Sequence, residues 1–153
     1  MRASGTFRVT SFVPSDLKPV PEVETPLPMG VATIVKSFDG EITGRSTTLF
    51  TAAFDQSTGV GTYVAMEAFE GAVGGREGTF NFAHSATTAG SDRTNEFFTI
   101  VPSSGTGELA GIRGGGGLSV DGETHRIWFE YDFGTGTGGG AGPGAGFEGG
   151  GAQ

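Results

Sequence analysis

The sequence predicts an all-β fold, an eight-stranded antiparallel up-and-down β-barrel, and three observations carry that expectation. Apolar and polar residues alternate in twos over short segments, Asp-Gly and Gly-Gly pairs punctuate those segments, and no convincing helical period occurs. The 153 residues include 30 glycines, 13 phenylalanines and no cysteine, which excludes a helical bundle and a disulfide scaffold and fits one domain.

In chain order the expected strands are Gly5–Phe12, Val31–Phe38, Glu41–Phe54, Gly61–Phe69, Gly78–His84, Arg93–Pro102, Glu108–Ile112, Gly116–Val120 and Thr124–Phe133, about eight of them paired. Between the first two, residues 14–28 hold five of the seven prolines. Each proline removes a backbone donor and holds its predecessor extended, so this stretch reads as a long, stiff loop. Asp39-Gly40 and Asp121-Gly122 stand where a tight hairpin needs positive φ, and Gly74-Gly75 occupies a similar connection. Sequential hairpins imply up-and-down order, and closure removes sheet edges that few charged residues protect. The folded domain is read as residues 1–133, with 12 of the 13 phenylalanines. Residues 134–153, 11 of them glycine, read as a flexible tail that cannot bury a core.

A net charge of −8 disfavours a nucleic-acid backbone or an anionic membrane as partner. No apolar run reaches the ~20 residues of a bilayer-spanning helix and no signal core opens the chain, so a cytoplasmic location is expected.

Period two assigns the faces. Phe80, Phe82 and His84 share one face of their strand, which turns His84 inward. Ile127, Phe129, Tyr131 and Phe133 share another, opposed by Arg126, Trp128, Glu130 and Asp132. Trp128 among charges suits a subunit interface or simple stem packing. Tyr63, Ala65, Glu67 and Phe69 oppose Val64, Met66, Ala68 and Glu70, and this strand is apolar on both faces. So are Val31–Phe38 and Arg93–Pro102, which predicts an outer wall covered by the proline loop or by another copy, hence a homo-oligomer.

Three segments then carry a resemblance: Ala3-Ser4-Gly5-Thr6-Phe7-Arg8-Val9, the stretch Met66–Gly71 with Gly75–His84, and Val101–Gly114. Over about Ala3 to Phe133 the chain resembles an uncharacterised bacterial family, a domain of unknown function with an allene-oxide-cyclase-like barrel. Gly105-Thr106-Gly107 is also similar to the Gly-Thr-Gly turn of plant allene oxide cyclases and dirigent proteins. The resemblance implies a lipocalin-like barrel with a largely apolar cavity, often oligomeric, whose relatives guide cyclisations without a cofactor. In such a pocket, orientation and one or two polar groups lower the barrier.

Glu67 is the first candidate catalytic residue: on an inward face it is desolvated and its pKa raised, unless it faces solvent or pairs with an arginine. His84 on a neighbouring strand is its candidate partner, or else a capped structural histidine. Tyr131 is placed to orient a ligand carbonyl, or is an ordinary core tyrosine. Tyr63, Phe80, Phe82, Phe98 and Phe129 are the expected ligand-binding wall. Arg76 and Arg113, in glycine-rich turns, either clamp a carboxylate at the mouth or pair locally. Gly105–Gly111 misses the dinucleotide fingerprint by one position, and no phosphate loop, close zinc-ligand spacing or nucleophile elbow occurs, so neither cofactor nor metal is expected. Two classes of function follow. One is a cofactor-free cyclase or isomerase acting on a small apolar molecule; the alternative is a non-catalytic carrier or a barrel packed with phenylalanine.

Overall fold

The structure, a computed structural model, describes residues 1–90 and 92–134; apart from Gly134, the tail expected over 134–153 lies outside them. Eight strands follow in order: β1 (Arg2–Ser15), β2 (Met29–Gly40), β3 (Ile42–Asp55), β4 (Val60–Val73), β5 (Arg76–Ala89), β6 (Asp92–Ile100), β7 (Ile112–Asp121) and β8 (Thr124–Phe133). Every strand pairs antiparallel with its sequence neighbours, and β1 pairs with β8 as well as β2, so the ring closes into a barrel. Among the described residues no helix is long and apolar enough to cross a membrane.

The hairpin connections behave as their chemistry requires. Gly40, Gly74, Gly75 and Gly122 all adopt positive φ at strand junctions. The segment expected as a strand at Glu108–Ile112 does not form one. Gly107–Leu109 is a single 3₁₀ turn, held by backbone bonds from Leu109 to Thr106 and from Thr106 to Thr79, and its Leu109 side chain plugs the barrel end. Gly107 and Gly111, both at positive φ, turn the chain on either side. β7 instead begins at Ile112 and runs through Gly114–Gly117, earlier than the strand expected from Gly116.

Those glycines make room for neighbours. A Cβ at Gly117 would sit 2.3 Å from the Trp128 ring, and one at Gly116 would meet the Phe98 ring at 3.0 Å. Trp128 therefore packs over the β7 glycines, with the Arg2 guanidinium 5.3 Å above its ring. The proline loop is exposed throughout except for half-buried Leu27, and it leaves Leu49, Val64 and Met66 on the outer wall open to solvent, contrary to the expectation that it covers them.

Inside, one half of the barrel is filled. Phe38 meets Phe69 edge-on at 5.4 Å, Phe69 contacts Phe80 at 5.2 Å, and Phe129 packs on both Phe80 and Phe82 at 5.3 Å. The other half carries a polar group of side chains and opens at a seam. Between β6 and β7 only Ile100 and Gly114 pair, so the two strands splay apart beyond that point.

Gly44 on β3 has φ of +128°, and a Cβ there would lie 2.2 Å from the Glu70 carbonyl oxygen on β4. Gly44→Ala is expected to lower stability by about 2–4 kcal/mol, combining backbone strain with a backbone collision. Urea unfolding measures it, and an unchanged midpoint would show that the two strands separate at no cost.

Candidate functional site

Alternation on β4 turns Glu67 inward between Ala65 and Phe69, and its carboxylate is fully buried. Removing a carboxylate from water costs several kcal/mol unless charge and hydrogen bonds compensate, and here three strands supply them. Lys36 from β2 donates to Oε2 at 2.5 Å, His84 Nε2 from β5 donates to the same oxygen at 2.6 Å, and the Ser46 hydroxyl from β3 donates to Oε1 at 2.7 Å. Lys36 is itself buried, with its ammonium 4.8 Å from the Phe7 ring centre.

The network continues beyond the imidazole. His84 Nδ1 lies 2.7 Å from the Tyr63 hydroxyl, and an Arg93 Nη donates to that phenol oxygen at 2.9 Å. Arg93 in turn donates through Nε to Glu96 at 3.2 Å. Burial pushes the Glu67 carboxyl up, but the hydrogen bonds and charges of His84 and Lys36 outweigh it and hold the group at about 2. The pKa is therefore lowered, where desolvation alone predicts a rise. Burial, together with the Lys36 and Arg93 charges, holds His84 below its ordinary 6.5 against the pull of Glu67. Burial also raises Tyr63, against the lowering influence of Arg93.

These directions, together with the hydrogen-bond partners, assign one arrangement of protons at neutral pH. Glu67 is ionised, so Nε2 of a neutral His84 carries the imidazole proton, Nδ1 accepts from the Tyr63 O–H, and the phenol oxygen accepts from Arg93. The chain of donors runs one way, from Arg93 through Tyr63 and His84 to Glu67. A pocket of about 130 Å³ opens at the splayed seam, with His84, Arg93 and Glu96 as its polar wall and Phe98, Leu118 and Trp128 among its apolar one. Deeper in, the Thr48 hydroxyl, register partner of Glu67, is buried with no hydrogen-bond partner.

Residues 3–131 match the family described as "Protein of unknown function (DUF3224)". The chain belongs to this family. It is similar to the crystal structure of a protein with unknown function from the DUF3224 family of Shewanella oneidensis MR-1, at 27% identity and a TM-score of 0.76, over 88% of this chain and 97% of that one. No curated protein matches it.

In this DUF3224 chain the structure brings together Glu67, His84 and Tyr63, with Phe82 and Phe98 stacked near the imidazole at 5.9 and 5.8 Å. Phe80 and Phe129 belong to the packed half and line no described pocket. Tyr131 stands at the far end of the barrel, its hydroxyl beside Gly74, seven residues along from Glu67 and so about 23 Å away along the strand. Arg113 pairs with Asp132 at 2.7 Å and Arg76 lies over the Phe133 ring at 4.5 Å, so both arginines are engaged locally rather than at the site.

Sequence reasoning missed Lys36, Ser46, Arg93 and Glu96. Lys36 had a usable signal, since it shares an inward face with Ile34 and Phe38, the same anomaly that singled out Glu67. Arg93 had none: strict alternation from Phe98 sets it in the opposite phase, and only an irregularity in the β5–β6 register makes it the partner of Thr88.

Glu67→Gln is expected to cost about 3–5 kcal/mol, because it leaves the Lys36 ammonium buried without its counter-charge. The double variant Lys36→Met, Glu67→Gln should recover most of that loss in urea unfolding, and equal losses would show that Lys36 reaches water. Acid acts through the same groups. The folded state holds Glu67 at about 2 against 4.5 for a free carboxyl, so it contributes roughly 3 kcal/mol that is complete above pH ~5 and lost as pH falls toward 2. His84, depressed below 6.5, adds to this trend, since below pH ~6.5 the unfolded chain takes up its proton first. The urea midpoint should therefore fall steadily from pH 7 to pH 3, and a flat profile would contradict both assignments.

Proposed function

We propose that this barrel is a cofactor-free isomerase or cyclase of allene-oxide-cyclase-like, lipocalin-like plan, acting on a small, largely apolar molecule that carries a carbonyl or epoxide oxygen. The observation that carries the reading is the one-way hydrogen-bond chain from Arg93 to Glu67, two of whose members, His84 and Arg93, wall a pocket. In this reading Tyr63, held between the wall residues His84 and Arg93 and itself behind the pocket lining, takes a proton from a substrate carbon that reaches it between those two side chains, as it passes its own to His84 Nδ1. The imidazolium so formed is stabilised by the Glu67 carboxylate, and Arg93 stabilises negative charge on the oxygen side. Return of the proton at a second carbon, or ring closure of the anion onto an epoxide or carbonyl carbon followed by return of the proton from His84 through Tyr63 to the alkoxide oxygen, completes the reaction with no net change in protons. Glu67 touches no substrate: all its bonds go to Lys36, Ser46 and His84, and it acts as a positioning residue.

Size bounds the occupant. At about 130 Å³ the pocket is well below the ~300–1,000 Å³ of drug-sized sites, so it holds a small molecule or the reactive end of a longer one. The second reading, a non-catalytic carrier or packed barrel, is favoured by the phenylalanine-filled half and by the saturation of Glu67 within the protein.

Exchange of α-protons with D₂O, followed by NMR over a panel of small ketones, enones and epoxides, tests the reading. Wild-type protein should accelerate exchange or rearrangement for at least one class. Tyr63→Phe, which keeps the ring stacked 5.4 Å from Phe50, should lose about 10²–10⁴-fold of that rate. Amide shifts at Phe98 and Leu118 without exchange would leave the carrier reading standing instead.

A further inference from the structure

The outer face of β2–β5 differs from the rest of the surface. Four successive cross-strand rows, from Met29 and Ala53 at one end to Val35 and Asn81 at the other, carry no charged side chain in a protein of net charge −8. The next row restores charge with the exposed Arg45–Glu70 ion pair, which forms a polar rim. Within the rows Leu49 is 64% exposed, Val64 59% and Met66 49%, and Phe97 on the adjoining β6 is 55% exposed. Depletion of charge at the centre with charge at the rim is the pattern of a protein interface.

We infer that this face is a two-fold interface between copies of this chain. Charge selects the occupant. Two acidic copies repel each other except where neither presents charge, so this face is where they approach at the least electrostatic cost. An anionic membrane is repelled by the whole molecule, and the face offers no basic residue to offset that.

Shape is self-complementary as well. A groove of about 320 Å³ on β2–β4 is lined by Val35, Leu49, Met66 and Ala68, while Phe97 projects at the opposite, β6 edge. A two-fold axis exchanges the two edges, so the Phe97 side chain of each copy meets the other's groove. Eight residues along the four strands β2–β5 give roughly 500 Å² of curved sheet, short of the ~800 Å² per partner of a standard interface, so the contact belongs to the small, concentration-dependent class.

Sedimentation-velocity and light-scattering measurements at about 10–100 μM test the inference. The wild-type chain should run as a dimer of about 31 kDa, twice the 15.5 kDa chain mass. Leu49→Glu should run as a monomer with an unchanged circular dichroism spectrum, because the side chain is exposed in the single copy, and Met66→Lys should do the same independently. Phe97→Ser should weaken the dimer at least tenfold if the ring occupies the partner's groove. A wild-type monomer at 100 μM, or a dimer that survives Leu49→Glu and Met66→Lys, would overturn it.

Discussion

The buried carboxylate of Glu67 is the constraint around which the polar half of the barrel is arranged. A charge with no access to water is tolerated only where every lone pair is answered, and answering it draws Lys36, Ser46 and His84 from three further strands to one point. Those strands are successive antiparallel neighbours, so their hairpin register brings the partners together, and the partners in turn tie β2, β3, β4 and β5 to one another on the inner face of the barrel.

The two halves of the interior do different physical work. Close-packed phenylalanine supplies non-directional burial and a rigid wall, with ring contacts of 5.2–5.4 Å around Phe69, Phe80 and Phe129. The polar half supplies directed hydrogen bonds of fixed sense, which a fluid or loosely packed barrel would not hold in register. Phe98 belongs to both halves, stacking on Phe82 at 5.3 Å and lying beside His84. The seam beside it follows from glycine. Gly116 and Gly117 bring Phe98 and Trp128 close to the backbone, and past the Ile100–Gly114 pair β6 and β7 separate to leave a pocket whose wall includes the still buried His84.

Much of this was legible in the residues. Alternation in twos located seven of the eight strands closely, Asp-Gly pairs located two of the hairpins, and the shared phase of Phe80, Phe82 and His84 turned the histidine inward as it is found. Glu67 stood out because a charge occurred in an apolar phase. The reading failed where pattern is short or sparse. Around Gly107 a few residues between glycines were taken for a strand, although positive φ on both sides permits only a turn. Of the two alternatives left open for Tyr131, its place in the buried core fits the ordinary core tyrosine.

What the sequence by itself determined is the local and periodic part of this protein: strand positions, hairpins, which side chains point inward, and an outer wall richer in apolar residues than a solvated sheet needs. Each of these depends on backbone geometry that repeats every two residues and needs no knowledge of distant partners. Only the tertiary structure decided the rest. It placed Lys36 and His84, 48 positions apart in the chain, on one oxygen of the Glu67 carboxylate, and so lowered a pKa that burial alone would raise. The sign of that shift depends on distances of 2.5 and 2.6 Å between side chains on different strands, which are set by strand register rather than by any neighbouring residue in the chain.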